Sequence, residues 1–161
     1  MAIPATGNHA PTFGIGETLL PGVYDLTGAA SIASTLALDG NNKTNQLFII
    51  RANAGAFNTA AGVDVILTNG ATSENVFWIV DGAIGFGAST KISGTLFSNG
   101  AAVAGGSSIV NGRLLTKLGA ISFGQGPLTV PTGNSIIYFR SLSNFIIFTS
   151  SGRVANTGAS V

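Results

Sequence analysis

The chain has no cysteine, one histidine and only 8% charged residues in a length of 161. Without thiols there are no disulfides, no thiolate metal sites and no cysteine nucleophile, although the redox compartment stays open. The scarcity of charge excludes a second class. Seven Lys and Arg against six Asp and Glu leave a net charge of +1, and the cations are scattered from Lys43 to Arg153 without a basic run. Nucleic-acid binding needs clustered Lys and Arg to neutralise several phosphates, so it is not expected. Long apolar runs are also missing. The longest, Ile136-Ile137-Tyr138-Phe139 and Phe145-Ile146-Ile147-Phe148, fall far short of the ~20 residues of a membrane span, and no membrane insertion is expected. Met1-Ala2-Ile3-Pro4-Ala5-Thr6 lacks the charged and apolar regions of a secretory signal. No window of about eleven residues sustains a helical period, so helix should be nearly absent.

Catalytic chemistry is short of parts. His9 stands in a Pro/Thr-rich stretch and reads as a surface or turn residue. The serines have no base beside them and no nucleophile-elbow motif. The carboxylates Glu17, Asp25, Asp39, Asp64, Glu74 and Asp81 do not recur at one period, so paired acid–base work is not expected. Asp39-Gly40-Asn41-Asn42 reads as a turn, because Lys43 follows it and the closing Glu of a calcium loop is missing. No metal, cofactor or enzyme activity is expected. Trp78 lies in a run, Val76 to Val80, that is apolar on both faces and reads as core; a sugar-stacking platform is the functional alternative. Arg51, Arg113 and Arg140 are expected to end strands in solvent.

What is abundant is glycine, 23 residues in all, set in an apolar and Thr/Ser/Asn-rich background. A Gly-Ala step recurs at Gly28-Ala29, Gly55-Ala56, Gly82-Ala83, Gly100-Ala101 and Gly119-Ala120, with spacings of 27, 27, 18 and 19 residues. A near-fixed period of this kind is the signature of a coiled β-solenoid. Ile92-Ser93-Gly94-Thr95-Leu96 and Val110-Asn111-Gly112-Arg113-Leu114 repeat one pattern a single 18-residue step apart. One coil of about three short strands fits that step, and the longer steps imply insertions. Two residues after each Gly stand Phe57, Ile84, Ala102 and Ile121, an expected inward ladder. Four residues after it stand Thr59, Phe86, Ala104 and Phe123, read as a separate outward column. The predicted organisation is an extended lead-in over 1–16, solenoid coils over 17–133, and a C-terminal strand segment over 134–161.

Leu20-Pro21-Gly22-Val23-Tyr24, Leu36-Ala37-Leu38-Asp39-Gly40, Leu47-Phe48-Ile49-Ile50, Val65-Ile66-Leu67-Thr68-Asn69-Gly70-Ala71, Asn75-Val76-Phe77-Trp78 and Gly94-Thr95-Leu96 resemble, in this order, the core of the ice-binding-protein-like domain of bacteria and fungi. The resemblance runs from about His9 to Val130. It implies an all-β fold, a right-handed discontinuous β-solenoid of triangular section, on secreted or cell-surface proteins. The long capping helix of that family has no counterpart before Leu19. Residues 139–161 resemble instead the family's opening strands, which implies a circular permutant or a tail that completes a neighbouring subunit.

Two functions follow as expectations. The first is a non-enzymatic extracellular structural or adhesive module that assembles head to tail, its interface being Ile136, Ile137, Tyr138, Phe139, Phe145, Ile146, Ile147 and Phe148. Two β-prone apolar runs with an unpaired edge would add to the next copy and propagate a filament. The alternative is an ice-binding protein whose flat face carries Asn58, Thr59, Thr68, Ser89, Thr90, Ser107 and Ser108. Phe86 and Phe123 then interrupt any regular Thr array. The expected partners are accordingly a second copy, ice, or a surface glycan met by Trp78 or another exposed aromatic, at an extracellular or cell-surface location.

Overall fold

A computed structural model describes residues 4–129 with their side chains, and the backbone of three strands beyond them, Ile137–Arg140, Phe145–Phe148 and Val154–Asn156. Residues 4–129 wind into a solenoid of six coils, each giving one short strand to each of three faces in turn. All pairing between coils is parallel. Three faces per turn make the section triangular. The first face stacks Gly7–His9, Gly22–Leu26, Phe48–Ala52, Val76–Val80 and residues 94–98 and 112–116; the second stacks Thr12–Phe13, Ala30–Ile32, Phe57–Thr59, Ile84–Phe86, Ala102–Ala104 and Ile121–Phe123. The third stacks Glu17–Leu19, Leu36–Asp39 and Val65–Thr68, and continues through the Asp64–Lys91 bridge to residues 91–93, 109–111 and Leu128–Thr129. Among the described residues the coils follow chain order, and the only helical element is the 3-10 turn Ser73–Asn75.

The recurring sequence signals are the corners and ladders of this stack. Ile92, Gly94 and Leu96 lie in register with Val110, Gly112 and Leu114, so the 18-residue step is one uninterrupted coil. In these coils the chain passes from third face to first within one strand, Lys91–Ser98 or Ile109–Thr116. In the two longer coils the same corner carries loops, residues 40–47 and 69–75. The loops stack on each other: Asn42 N donates to Asn69 O at 2.9 Å and Asn69 Nδ2 to Asp39 Oδ2 at 2.8 Å. The insertions implied by the 27-residue steps therefore sit together on one edge.

Inward side chains form continuous columns. Phe13, Phe48, Phe57, Trp78, Leu36, Leu38, Ile84 and Leu96 are almost fully buried, and Phe57 packs on Trp78 with ring centroids 5.2 Å apart. Trp78 Nε1 donates to Ser93 O at 3.0 Å. With no surface of its own Trp78 is core, and it has no ring face to offer a sugar. Gly7–His9 and Thr12–Phe13, within the expected lead-in, pair with the second coil and so supply the first. Arg51, expected to end a strand in solvent, stands inside one and is paired with Asp25 through Nε–Oδ1 at 2.5 Å and Nη2–Oδ2 at 2.7 Å.

Candidate functional site

Side chains alternate along a strand, so residues two apart share a side. On the second face this parity is decisive. Phe57 points in, and therefore Thr59 does as well; the outward positions are one, three and five residues after each corner Gly. The strand register sets three outward columns. The first is Ala29, Ala56, Ala83, Ala101 and Ala120. The central one is Thr12, Ser31, Asn58, Gly85, Val103 and Ser122. The third is Ala33, Ala60, Gly87, Gly105 and Gly124.

No outward residue of this face is larger than Val or Asn, and among the described residues no charged side chain occupies it. On their outward sides the other two faces carry Asp25, Arg51 and Arg113, and Asp39, Asp64 and Lys91, respectively. Flatness has a backbone cause at both edges. A Cβ on Gly82 would lie 2.5 Å from Gly55 O, and one on Gly87 would lie 2.5 Å from Ala61 N, so the coils meet backbone to backbone. Coil spacing of ~4.8 Å along the axis, and ~6.6–6.8 Å between alternate residues along a strand, give the face two perpendicular repeats. Local bonds fix some of its polar groups: Thr12 Oγ1 and Ser31 Oγ are 3.1 Å apart.

The residues expected on a ligand face divide three ways. Asn58 alone stands on the outward side of the second face. Thr59, Thr90 and Ser108 turn inward; Thr90 is fully buried, Thr59 Oγ1 lies 2.9 Å from its hydroxyl, and both Thr90 and Ser108 donate to Gly87 O. Ser89 and Ser107 turn the corner to the third face at φ of 58° and 61°, and Thr68 ends a strand of the third face. Phe86 and Phe123 also point inward, so they interrupt nothing on the surface. Of the proposed assembly residues, Ile136 lies outside the described residues. Ile137–Arg140 and Phe145–Phe148 pair antiparallel with each other, and Phe145–Phe148 pairs likewise with Val154–Asn156.

Elsewhere the polar groups have structural duties. Asp39 Oδ1 accepts Asn41 N at 2.7 Å, which makes the turn read from Asp39-Gly40-Asn41-Asn42 an Asx turn. His9, expected as a surface or turn residue, is half-buried. It faces the interior of the first coil, stacked on Phe13 and 2.5 Å from Glu17 Oε1. Asp25 is held below the usual carboxylate range, chiefly by its hydrogen bond with Arg51.

Residues 2–129 match the model of the family described as ice-binding-like. The chain is 28% identical over 116 residues to an ice-binding protein of Flavobacterium frigoris, covering 72% of this chain and 41% of that protein. An ice-binding protein of Colwellia sp is 30% identical over 131 residues, covering 81% of this chain and 50% of the relative. Two solved structures superpose with TM-scores of 0.77. One is an ice-binding protein from an Antarctic Flavobacteriaceae bacterium, at 33% identity over 87% of this chain and 34% of the other. The second, from the Antarctic ascomycete Antarctomyces psychrotrophicus, is 31% identical and covers 82% of this chain and 64% of its own. The chain thus spans half or less of the length of these two curated relatives. Their names overturn the expectation of a head-to-tail fibre or adhesin module: the relatives and neighbours are named as ice-binding proteins, and none of these is named as a filament subunit. With a match over most of its length and the same solenoid, this chain belongs to the ice-binding-like family.

Proposed function

We propose that this chain binds ice through its second face and catalyses nothing. One observation carries the reading: three outward columns of Ala, Gly and small residues, without a charge, on a surface held flat by close backbone stacking. Charged side chains orient their hydration shells too strongly to share water with a crystal lattice. Methyl groups, backbone and short hydroxyls leave first-shell water free to take the spacing of the columns. Ala and Gly have no side-chain rotamers to freeze, and the parallel ladders hold the backbone beforehand, so the ordering cost of binding is small. The names of the relatives and neighbours support the same partner. Recognition here rests on one Ala column and one Ala/Gly column flanking a mixed centre, since Thr12 is the sole Thr on the outward columns. An extracellular setting, where ice forms first, and the absence of any cofactor belong to this reading.

The test is thermal hysteresis together with ice-recrystallisation inhibition. The wild type should show at least the second. Ala60→Tyr and Val103→Arg, both outward on the second face, should abolish it with unchanged melting temperature, while Ile66→Tyr on the third face should keep it. Wild-type protein without either activity, or equal losses from all three variants, would remove the proposal.

A further inference from the structure

The first coil places an imidazole and a carboxylate at inward positions, where the inward polar groups of the later described coils are hydroxyls such as those of Thr90, Ser98 and Ser108. His9 is the register partner of Leu26, in the inward column that continues as Ala52, Val80 and Ser98; Glu17 is the partner of Leu36, above Val65. Both point into the triangle. They meet there: His9 Nε2 donates to Glu17 Oε1 at 2.5 Å, Nδ1 lies 2.6 Å from the Ala10 carbonyl oxygen, and Glu17 Oε2 accepts Gly14 N at 3.2 Å. The imidazole also lies flat on Phe13, with centroids 4.3 Å apart and planes 19° from parallel, and edge-on to Tyr24. Phe13 is completely buried as a result, while His9 and Glu17 keep 18% and 30% of their side-chain surface. A polar pair is thus laid across the end of an apolar column. At the far end of the described coils the inward positions are Ile121, Phe123 and Leu128.

We propose that the His9–Glu17 pair is a built-in end cap, which closes this end of the solenoid against stacking by a second copy. An inward residue of an interior coil is covered from above and below. Among the described residues no strand lies beyond the first coil on that side, and an apolar residue there would extend the core into water and invite another coil. A polar pair on that side resists burial, because stacking an apolar layer on it removes water from the imidazole and the carboxylate without supplying new partners. Terminal repeats of stacked-repeat proteins need such a polar outer surface to remain soluble.

The experiment is sedimentation equilibrium of the full chain against concentration. The double variant His9→Leu/Glu17→Leu, which gives the first coil the side chains of the second, should self-associate about tenfold more tightly than the wild type. Asn8→Leu/Thr18→Leu adds the same two side chains pointing outward from the same coil and should leave association unchanged. Glu17→Gln keeps a polar cap and should behave as the wild type, which covers the case in which the leucine pair fails to fold. Equal association by the inward and outward leucine pairs, or association by Glu17→Gln, would overturn the cap. So would a folded inward pair, by circular dichroism, that associates no more than the wild type.

Discussion

Gly94 and Gly112 stand in register at the corner where a single strand passes from the third face into the first, with φ of +115° and +156°. A Cβ on Gly94 would sit 2.6 Å from Val76 O and 2.8 Å from Val76 Cβ. Gly94→Ala therefore meets both a disfavoured backbone and a filled space, and should cost about 2–4 kcal/mol, read as a lower urea midpoint at unchanged m-value. A loss below half a kcal/mol, as for ordinary surface changes, would show that the corner relaxes.

Three glycines of one coil should respond differently to alanine. At Gly82 and Gly87 the new methyl meets backbone atoms of the coil beneath; at Gly85 it meets only Asn58 Oδ1, 2.6 Å away on a side chain that can swing. Gly85→Ala should be neutral or stabilise by up to about 1 kcal/mol, whereas Gly82→Ala and Gly87→Ala should each cost about 1–3 kcal/mol. Thermal melts of the three variants decide this.

Thr90 is a folding residue. Its hydroxyl has Gly87 O at 2.9 Å and Ala60 O at 3.2 Å, within a fully buried site. Thr90→Val should destabilise by about 1–3 kcal/mol, because the buried oxygens around it lose a donor. Recrystallisation inhibition at a temperature where the variant is folded should match the wild type; a specific loss of that activity would assign Thr90 to the ligand face instead.

Stability should depend on pH through Asp25. Its folded pKa is lowered, first by the Arg51 hydrogen bond, so the stabilisation is present above the ordinary carboxylate range and disappears as pH falls through the lowered value. Arg51→Met should cost about 0.5–1 kcal/mol at neutral pH. Its melting temperature should converge on that of the wild type once Asp25 is protonated, and parallel curves at all pH values would refute the linkage.

Ile15 holds a φ of 98° while 95% exposed, an expensive conformation for a β-branched side chain that buries nothing. Ile15→Gly keeps the amide that donates to Ser34 Oγ at 2.5 Å and should raise stability by about 0.5–1 kcal/mol after the entropy of the new glycine is subtracted. A fall in melting temperature would mean that the isoleucine makes contacts beyond the described coil.

The coil period and much of the interior were legible in the residues, because corner glycines recur with the backbone contact that demands them and 18-residue coils leave their pattern unbroken. Which side of the sheet the expected ligand residues occupy follows from one rule of parity. Taking the residue two after Gly55 as inward requires the one four after it to be inward too; Thr59 and Phe86 thus belong to the core, and the plain alanines beside the glycines form the surface. The first coil was invisible for a different reason. Its strands are two or three residues long, and its inward positions hold His9 and Glu17, so no apolar alternation marks it. Only pairing with Leu26 and Leu36 reveals what those two residues do.

The uninterrupted register of Lys91–Ser98 on Ile109–Thr116 makes length a discrete variable of this molecule. A gene segment encoding 18 residues, duplicated or deleted in frame, would change the stack by one whole turn without altering either end. Each such event would add or remove one row of the flat surface, so contact area could evolve in counted steps, independently of the residues at the termini.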